Sequence, residues 1–282
     1  MSTALKIGVI LQGNDEVGIH HTYFSQVLEG FRRELEKRDI SILFLSNNRE
    51  GTDSKTYLNQ LQIHGCDACM ICCADQTPEI FDVLSSGIPV VAIDMEYENA
   101  INVSSDNVKG MADLTEYVIS MGHKNIALIM GNENPVTTAR LKTFLDVCEK
   151  HNIQISDDHI IRSSYRDINM AYYHTENLLK SNNPPSIIMY CDDFASIGGI
   201  NVINARGLRI PKDISITGFD GNDVLSQYEP IITTIKQDCI GIGSLAAQKI
   251  IEQLDNPSTM LNGKYYVDVT LEKGNTVKKV YI

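Results

Sequence analysis

Cysteines, histidines and a set of aspartates are the residues of this 282-residue chain whose types and spacing invite a chemical reading. Cys66, Cys69, Cys72 and Cys73 fall in a C-x-x-C-x-x-C-C pattern that looks like a metal or iron–sulfur ligand set. The segment is apolar and reads as a strand entering a sheet, and strand residues three apart point to opposite faces. Four thiolates do not converge from one extended strand, so the cysteines read as small buried hydrophobes and no metal is expected. Seven cysteines, an odd count without a pattern over most of the chain, suit free thiols in a reducing compartment. Residues 241–246 (GIGSLA) have the form of a dinucleotide fingerprint, but they lie just inside a helix, and no second strand ending in an acidic residue follows about 20 positions on. Close helix packing is the better reading of those glycines. His20 and His21, about 100° apart at the start of a helix, do not ligate one metal together. No P-loop, H-E-x-x-H, G-x-S-x-G or Ser- or Cys-centred triad occurs. Neither an enzyme nor a cofactor is expected.

The aspartates and one arginine gain meaning from the elements that position them. Short apolar β-type runs alternate with amphipathic helical stretches. The pattern predicts strands at 5–11, 40–46, 68–73 and 89–93, with helices at 21–38, 53–64 and 77–85 between them. In the first helix Tyr23, Phe24, Val27, Leu28, Phe31 and Leu35 share one face. A second series follows: a helix at 107–120 capped by Ser105 and Asp106, then a strand at 125–130 and a helix at 136–150. A short strand near 159–162, a helix at 167–180, a strand at 186–190, a helix at 193–205 and a strand at 213–218 continue it. A helix at 239–254 and strands near 264–271 and 277–281 finish the chain. Apolar strands joined by crossover helices imply parallel sheets, and no linker separates the two series, so two α/β lobes in close contact are predicted.

Open parallel sheets bind ligands beyond the carboxyl ends of their strands, and two such sheets facing each other can enclose a small molecule. Asp15, Asp75, Asp94, Asp192, Asp193 and Asp220 fall at or just after predicted strand ends. Arg140 lies in the first turns of the helix after strand 125–130. Carboxylates that accept from hydroxyls, with an arginine as counter-donor, suit a sugar or related polyol.

Composition narrows the remaining classes. With 43% hydrophobic and 21% charged residues, the chain can bury a real core. No apolar run approaches the 18 residues of a membrane span, and the N-terminus lacks a secretory cleavage site, so a cytoplasmic location is expected. A net charge of −12 without a basic cluster makes the chain a poor DNA binder by itself.

Six motifs, in order and over nearly the whole chain, carry a family resemblance. They are residues 23–31 (YFSQVLEGF), 105–110 (SDNVKG), 122–127 (GHKNIA), 138–144 (TARLKTF), 211–220 (PKDISITGFD) and 233–237 (TTIKQ). The chain resembles the effector-binding core of the LacI/GalR (lactose-repressor) family of bacterial transcription regulators, whose fold is similar to that of periplasmic sugar-binding proteins. One departure is Thr143, where the family has glycine. The resemblance implies two Rossmann-like lobes of periplasmic-binding-protein type I form, residues 5–104 plus 238–265 and 105–237 plus 266–282, joined by three crossovers near 104, 237 and 266. It also implies the effector contacts. Tyr23 and Phe24 would form an apolar or stacking wall, Asp75 and Asp220 would accept from hydroxyls, and Arg140 would be the central donor. Tyr165 would pack on the ligand, Asp192 would stand where the family often has asparagine, and Gln237 would sit at the hinge. An acceptor-only Asp192 in place of an amide hints at a hydroxyl-rich or cationic ligand. The family's helix-turn-helix is absent from these residues, so operator DNA is expected as a partner only through that domain. A homodimer whose lobes reorient when the effector binds is the implied mechanism. The rival reading is a periplasmic sugar-binding protein of a transporter, against which the absent leader and the seven cysteines count.

Overall fold

The computed structural model describes residues 5–11, 18–45, 56–72, 76–259 and 261–281. Its elements, in order, are β1 (Lys6–Leu11), α1 (Thr22–Glu36), β2 (Ser41–Leu45), α2 (Tyr57–His64), β3 (Ala68–Cys72), α3 (Pro78–Ser85), β4 (Val90–Ile93) and β5 (Ile101–Ser105). There follow α4 (Asn107–Ser120), β6 (Ile126–Met130), α5 (Pro135–Lys150), β7 (Ile160–Arg162), α6 (Ile168–Lys180), β8 (Ile187–Tyr190) and α7 (Asp193–Ala205). Last come β9 (Ser215–Thr217), β10 (Thr234–Gln237), α8 (Cys239–Asp255), β11 (Gly263–Val267) and β12 (Val269–Glu272). The chain divides into two compact units, Met1–Ser105 with Asp238–Asp268, and Asp106–Gln237 with Val269–Ile282.

The first unit is built on a six-stranded sheet in the order β11-β5-β4-β3-β1-β2, with every pairing parallel. One face packs against α1 and α8 through Val9, Met70, Phe31, Leu35 and Ile250, and the other against α2 and α3 through Ile71, Leu61 and Ile80. Cys69 belongs to the second of these cores and Cys72 to the first, on opposite sides of one strand; Cys73 lies outside the described residues. Of the two glycines in the GIGSLA run, Gly243 sits in α8 against α1, and Gly241 lies beside the Asp238 side chain that caps the helix. A Cβ on Gly243 would lie 1.9 Å from the Val27 carbonyl oxygen, and one on Gly30 would lie 2.1 Å from that of Ile240. These two helices touch backbone to backbone, as the packing reading of that run requires.

The second unit has a four-stranded parallel sheet, β7-β6-β8-β9, and a separate antiparallel pair, β10-β12. Leu128, Met189, Phe144 and Phe219 fill one core, while Ile129, Ile188, Tyr190 and Ile203 fill the other. Asp106, Asn134, Asp167 and Asp192 cap α4, α5, α6 and α7, each side chain accepting a backbone N–H three residues on.

Three sequence expectations change here. Residues 101–105 (INVSS) form a full strand that the polar Asn102 disguises. Its buried amide accepts from the Tyr97 N–H and donates to the Tyr97, Ala100 and Gly263 carbonyls. The single strand expected near 264–271 is two, broken at Asp268, with β11 in the first unit and β12 in the second. Residues 277–281 form no strand: the segment makes isolated bonds, such as the Val280 N–H to the Met121 carbonyl, instead of a ladder.

His123 anchors that terminal segment. Fully buried, its ring bonds the Ser186 hydroxyl at 2.8 Å and the Lys278 carbonyl at 3.2 Å. Burial holds its pKa down at about 4, from an ordinary 6.5. The unfolded chain therefore binds this proton first as pH falls. The contribution is intact above pH 6.5 and fades toward pH 4, by ~2 kcal/mol. In urea unfolding at pH 7 and pH 5, the stability change of the native protein should be less favourable than that of His123→Asn by ~2 kcal/mol, the other titrating groups being common to both.

Candidate functional site

In the second unit, the chain beyond the carboxyl ends of β6, β7, β8 and β9, with β10 beside it, brings together six of the residues singled out from sequence. Arg140, on the second turn of α5, is only 6% exposed. Its Nε donates to the Asn107 Oδ1 at 2.8 Å, its Nη1 donates to the Cys191 carbonyl at 3.2 Å, and its guanidinium lies 3.5 Å from the centre of the Phe219 ring. Both fixed partners are uncharged, so the guanidinium keeps its full charge for a ligand. Among the described residues it forms no ion pair.

Asp220 follows Phe219 at the end of the β9 loop, with a left-handed φ of 106° that aspartate tolerates better than bulky residues do. Its backbone is tied to β10 by the Asp220 N–H donating to Ile235 and the Gln237 N–H donating to Asp220. The Gln237 amide then donates to the Asp220 Oδ1 at 2.7 Å. Burial pushes the Asp220 carboxyl well above the ordinary carboxylate range; Asp192 and Asp193 push the same way, and Arg140 and Gln237 oppose them. A carboxyl in that balance can accept from one hydroxyl and donate to another.

Tyr165, after β7, shares a 2.8 Å hydrogen bond with the Thr137 hydroxyl, and its N–H donates to the Asn132 side chain. Its ring lies over Gly131, where a Cβ would come within 2.2 Å. Burial raises the phenol to about 12, so it remains a neutral donor.

Asp192 proves to be committed to the fold. It is 1% exposed, its Oδ1 accepts from the Ala195 N–H and its Oδ2 from the Arg166 N–H, both at 2.7 Å. The acceptor-only character that hinted at a cationic ligand serves these two backbone donors. Asp193 beside it accepts from the Thr234 hydroxyl and the Asn222 N–H, and burial raises it to about 7. Gly218 leaves room for this carboxylate, which would sit 2.2 Å from a Cβ there.

The first unit holds the other candidates. Phe24 is 5% exposed and belongs to the core over the sheet; Tyr23 packs at the margin of that core, and the His21 ring sits 5.0 Å from Phe24. Asp94 ends β4 at a φ of 56°. Asp15 and Asp75 lie outside the described residues.

Asn107, Thr137 and Phe219 were not singled out as site residues, although each supports one. The signal was present for two of them: Asn107 is the asparagine of the SDNVKG motif, and Phe219 is the middle residue of the GFD at 218–220.

The two units of parallel α/β sheet have the periplasmic-binding-protein type I fold, and in the second, polar side chains gather at the carboxyl end of the sheet. The crystal structure of a LacI family regulator from Enterococcus faecium with bound ribose superposes with a TM-score of 0.80 at 23% identity, covering 98% of this chain and 100% of that one. The lac repressor dimer bound to operator and the anti-inducer ONPF gives 0.83 at 20% identity, covering 98% and 95%. In sequence, the chain is 27% identical over 246 residues to the probable HTH-type transcriptional repressor ExuR of Bacillus subtilis, 86% of this chain and 72% of that protein. The family model for periplasmic binding proteins and the sugar binding domain of the LacI family matches residues 4–261, and the chain belongs to that family. It is the effector-binding domain of a LacI-type transcriptional regulator. No helix among the described residues is long and apolar enough to cross a membrane.

Proposed function

We propose that the domain binds a sugar or related small polyol, with Arg140 as central donor, Asp220 steered by Gln237 as hydroxyl acceptor, and Tyr165 packed on the ligand. The family resemblance assigns further contacts to Tyr23, Phe24 and Asp75. Binding shifts a conformational equilibrium, and in a homodimer this changes the DNA affinity of an attached helix-turn-helix; such couplings are worth about 1–3 kcal/mol. One observation carries the reading. A buried guanidinium fixed only by neutral partners stands at the same sheet end as a carboxyl oriented by a glutamine amide. The ribose bound to the Enterococcus faecium regulator supports the ligand class.

Thermal denaturation in the presence of sugars, sugar acids, sugar phosphates and nucleosides tests it. A ligand at 100 times its Kd stabilises the native state by about 2.7 kcal/mol, enough to raise Tm by several degrees. A hydroxylated compound should do so, and a response confined to nucleosides lacking sugar specificity, or to none of the set, refutes the reading.

A further inference from the structure

Arg166 says something more specific about the effector, resting on the reading of a hydroxylated ligand at this end of the sheet. Eight arginines lie among the described residues. Arg32, Arg33, Arg38, Arg162, Arg206 and Arg209 each pair with a carboxylate. The two without an ion pair, Arg140 and Arg166, are both stacked on a phenyl ring at this one site. In a chain where 36 acidic residues outnumber 24 basic ones, leaving these two uncompensated is a selective arrangement.

Arg166 is also held in place. It adopts a φ of 59°, a left-handed conformation unfavourable for a non-glycine residue, and its N–H is fixed on the Asp192 Oδ2. Its guanidinium lies 4.1 Å from the centre of the Phe194 ring, in the first turn of α7. Stacking occupies the face of the guanidinium and leaves its in-plane N–H donors at the edge, the geometry that grips two anionic oxygens at once. No neighbouring carboxyl pairs with it among the described residues: Asp192 accepts from two backbone N–H groups, Asp193 from the Thr234 hydroxyl and the Asn222 N–H, and Asp220 from the Gln237 amide.

We propose that Arg166 is a specificity residue for an acid group on the effector, so that the ligand is a sugar acid or a sugar phosphate rather than a neutral sugar. The anionic oxygens are the shared chemistry, and the two sources separate by experiment.

Isothermal titration of the native protein and of Arg166→Gln tests this with glucose and galactose, with glucuronate and galacturonate, and with the two hexose 6-phosphates. The native protein should prefer one acid set over its neutral parents by at least about 10-fold, and the preferred set identifies carboxylate or phosphate. Arg166→Gln should lose about 10- to 100-fold toward the acid and leave the neutral parent unchanged. Arg166→Lys, which keeps the charge but not the planar fork, should recover part of the loss. A native protein that prefers the neutral sugar, or an Arg166→Gln variant weakened equally toward both, overturns the inference and leaves the sugar-binding reading intact. Binding of no compound in either protein overturns that reading and the inference together.

Discussion

Arg140→Ala is expected to weaken effector binding by more than about 100-fold. The guanidinium offers charge-assisted hydrogen bonds worth roughly 1.5–3 kcal/mol each, and losing two of them removes about 3 kcal/mol or more of binding free energy. The variant should still fold, but not at full stability. Truncation removes the hydrogen bonds to the Asn107 Oδ1 and the Cys191 carbonyl and uncovers the Phe219 ring. Lost hydrogen bonds from a charged donor cost roughly 1.5–3 kcal/mol each, so Tm should fall while unfolding stays cooperative. Calorimetric titration checks the binding and thermal unfolding the fold. Unchanged affinity in the variant would refute the assignment of Arg140.

Gly243→Val should be the most damaging single change in the first unit, costing about 3 kcal/mol or more. Overpacking costs 1–3 kcal/mol when side chains can move aside. Here the obstructing atoms are the Val27 carbonyl oxygen at 1.9 Å and the Phe31 nitrogen at 2.6 Å, so α1 and α8 must separate as rigid bodies. Valine adds its own lower helix propensity. Gly241→Ala two residues earlier is the natural control. Its Cβ would meet the Asp238 carboxylate, which caps α8 by accepting from the Gly241 N–H, so the variant should lose about 1 kcal/mol, the cost of a weakened cap. Urea titration of both variants distinguishes a helix contact from a general intolerance of α8 to substitution.

Element order in the two series was legible because hydrophobic periodicity reports which face is buried, and these sheets are buried on both faces. Strand β5 was hidden because Asn102 is buried for its hydrogen bonds, and periodicity registers only apolar burial. The terminal segment misled in the opposite sense. Its valines are apolar and Val277 is buried, but its backbone bonds go singly to the Ser215 hydroxyl, the Met121 carbonyl and the His123 ring. At the site, the motifs gave Arg140, Asp220 and Gln237, whose mutual geometry the structure supplies. Asp192 shows a role that the residue type does not announce: its carboxylate caps α7. What a side chain donates to or accepts from depends on backbone groups 26 residues away, such as the Arg166 N–H, and no local pattern contains that.

The crystal structure of the domain with its tightest-binding hydroxylated ligand tests the central claim most directly. Ligand hydroxyls should lie within hydrogen-bonding distance of both the Arg140 guanidinium and the Asp220 carboxyl, with the Gln237 amide still on Asp220. A ligand seated elsewhere, with those two groups bonded only to protein, would contradict it.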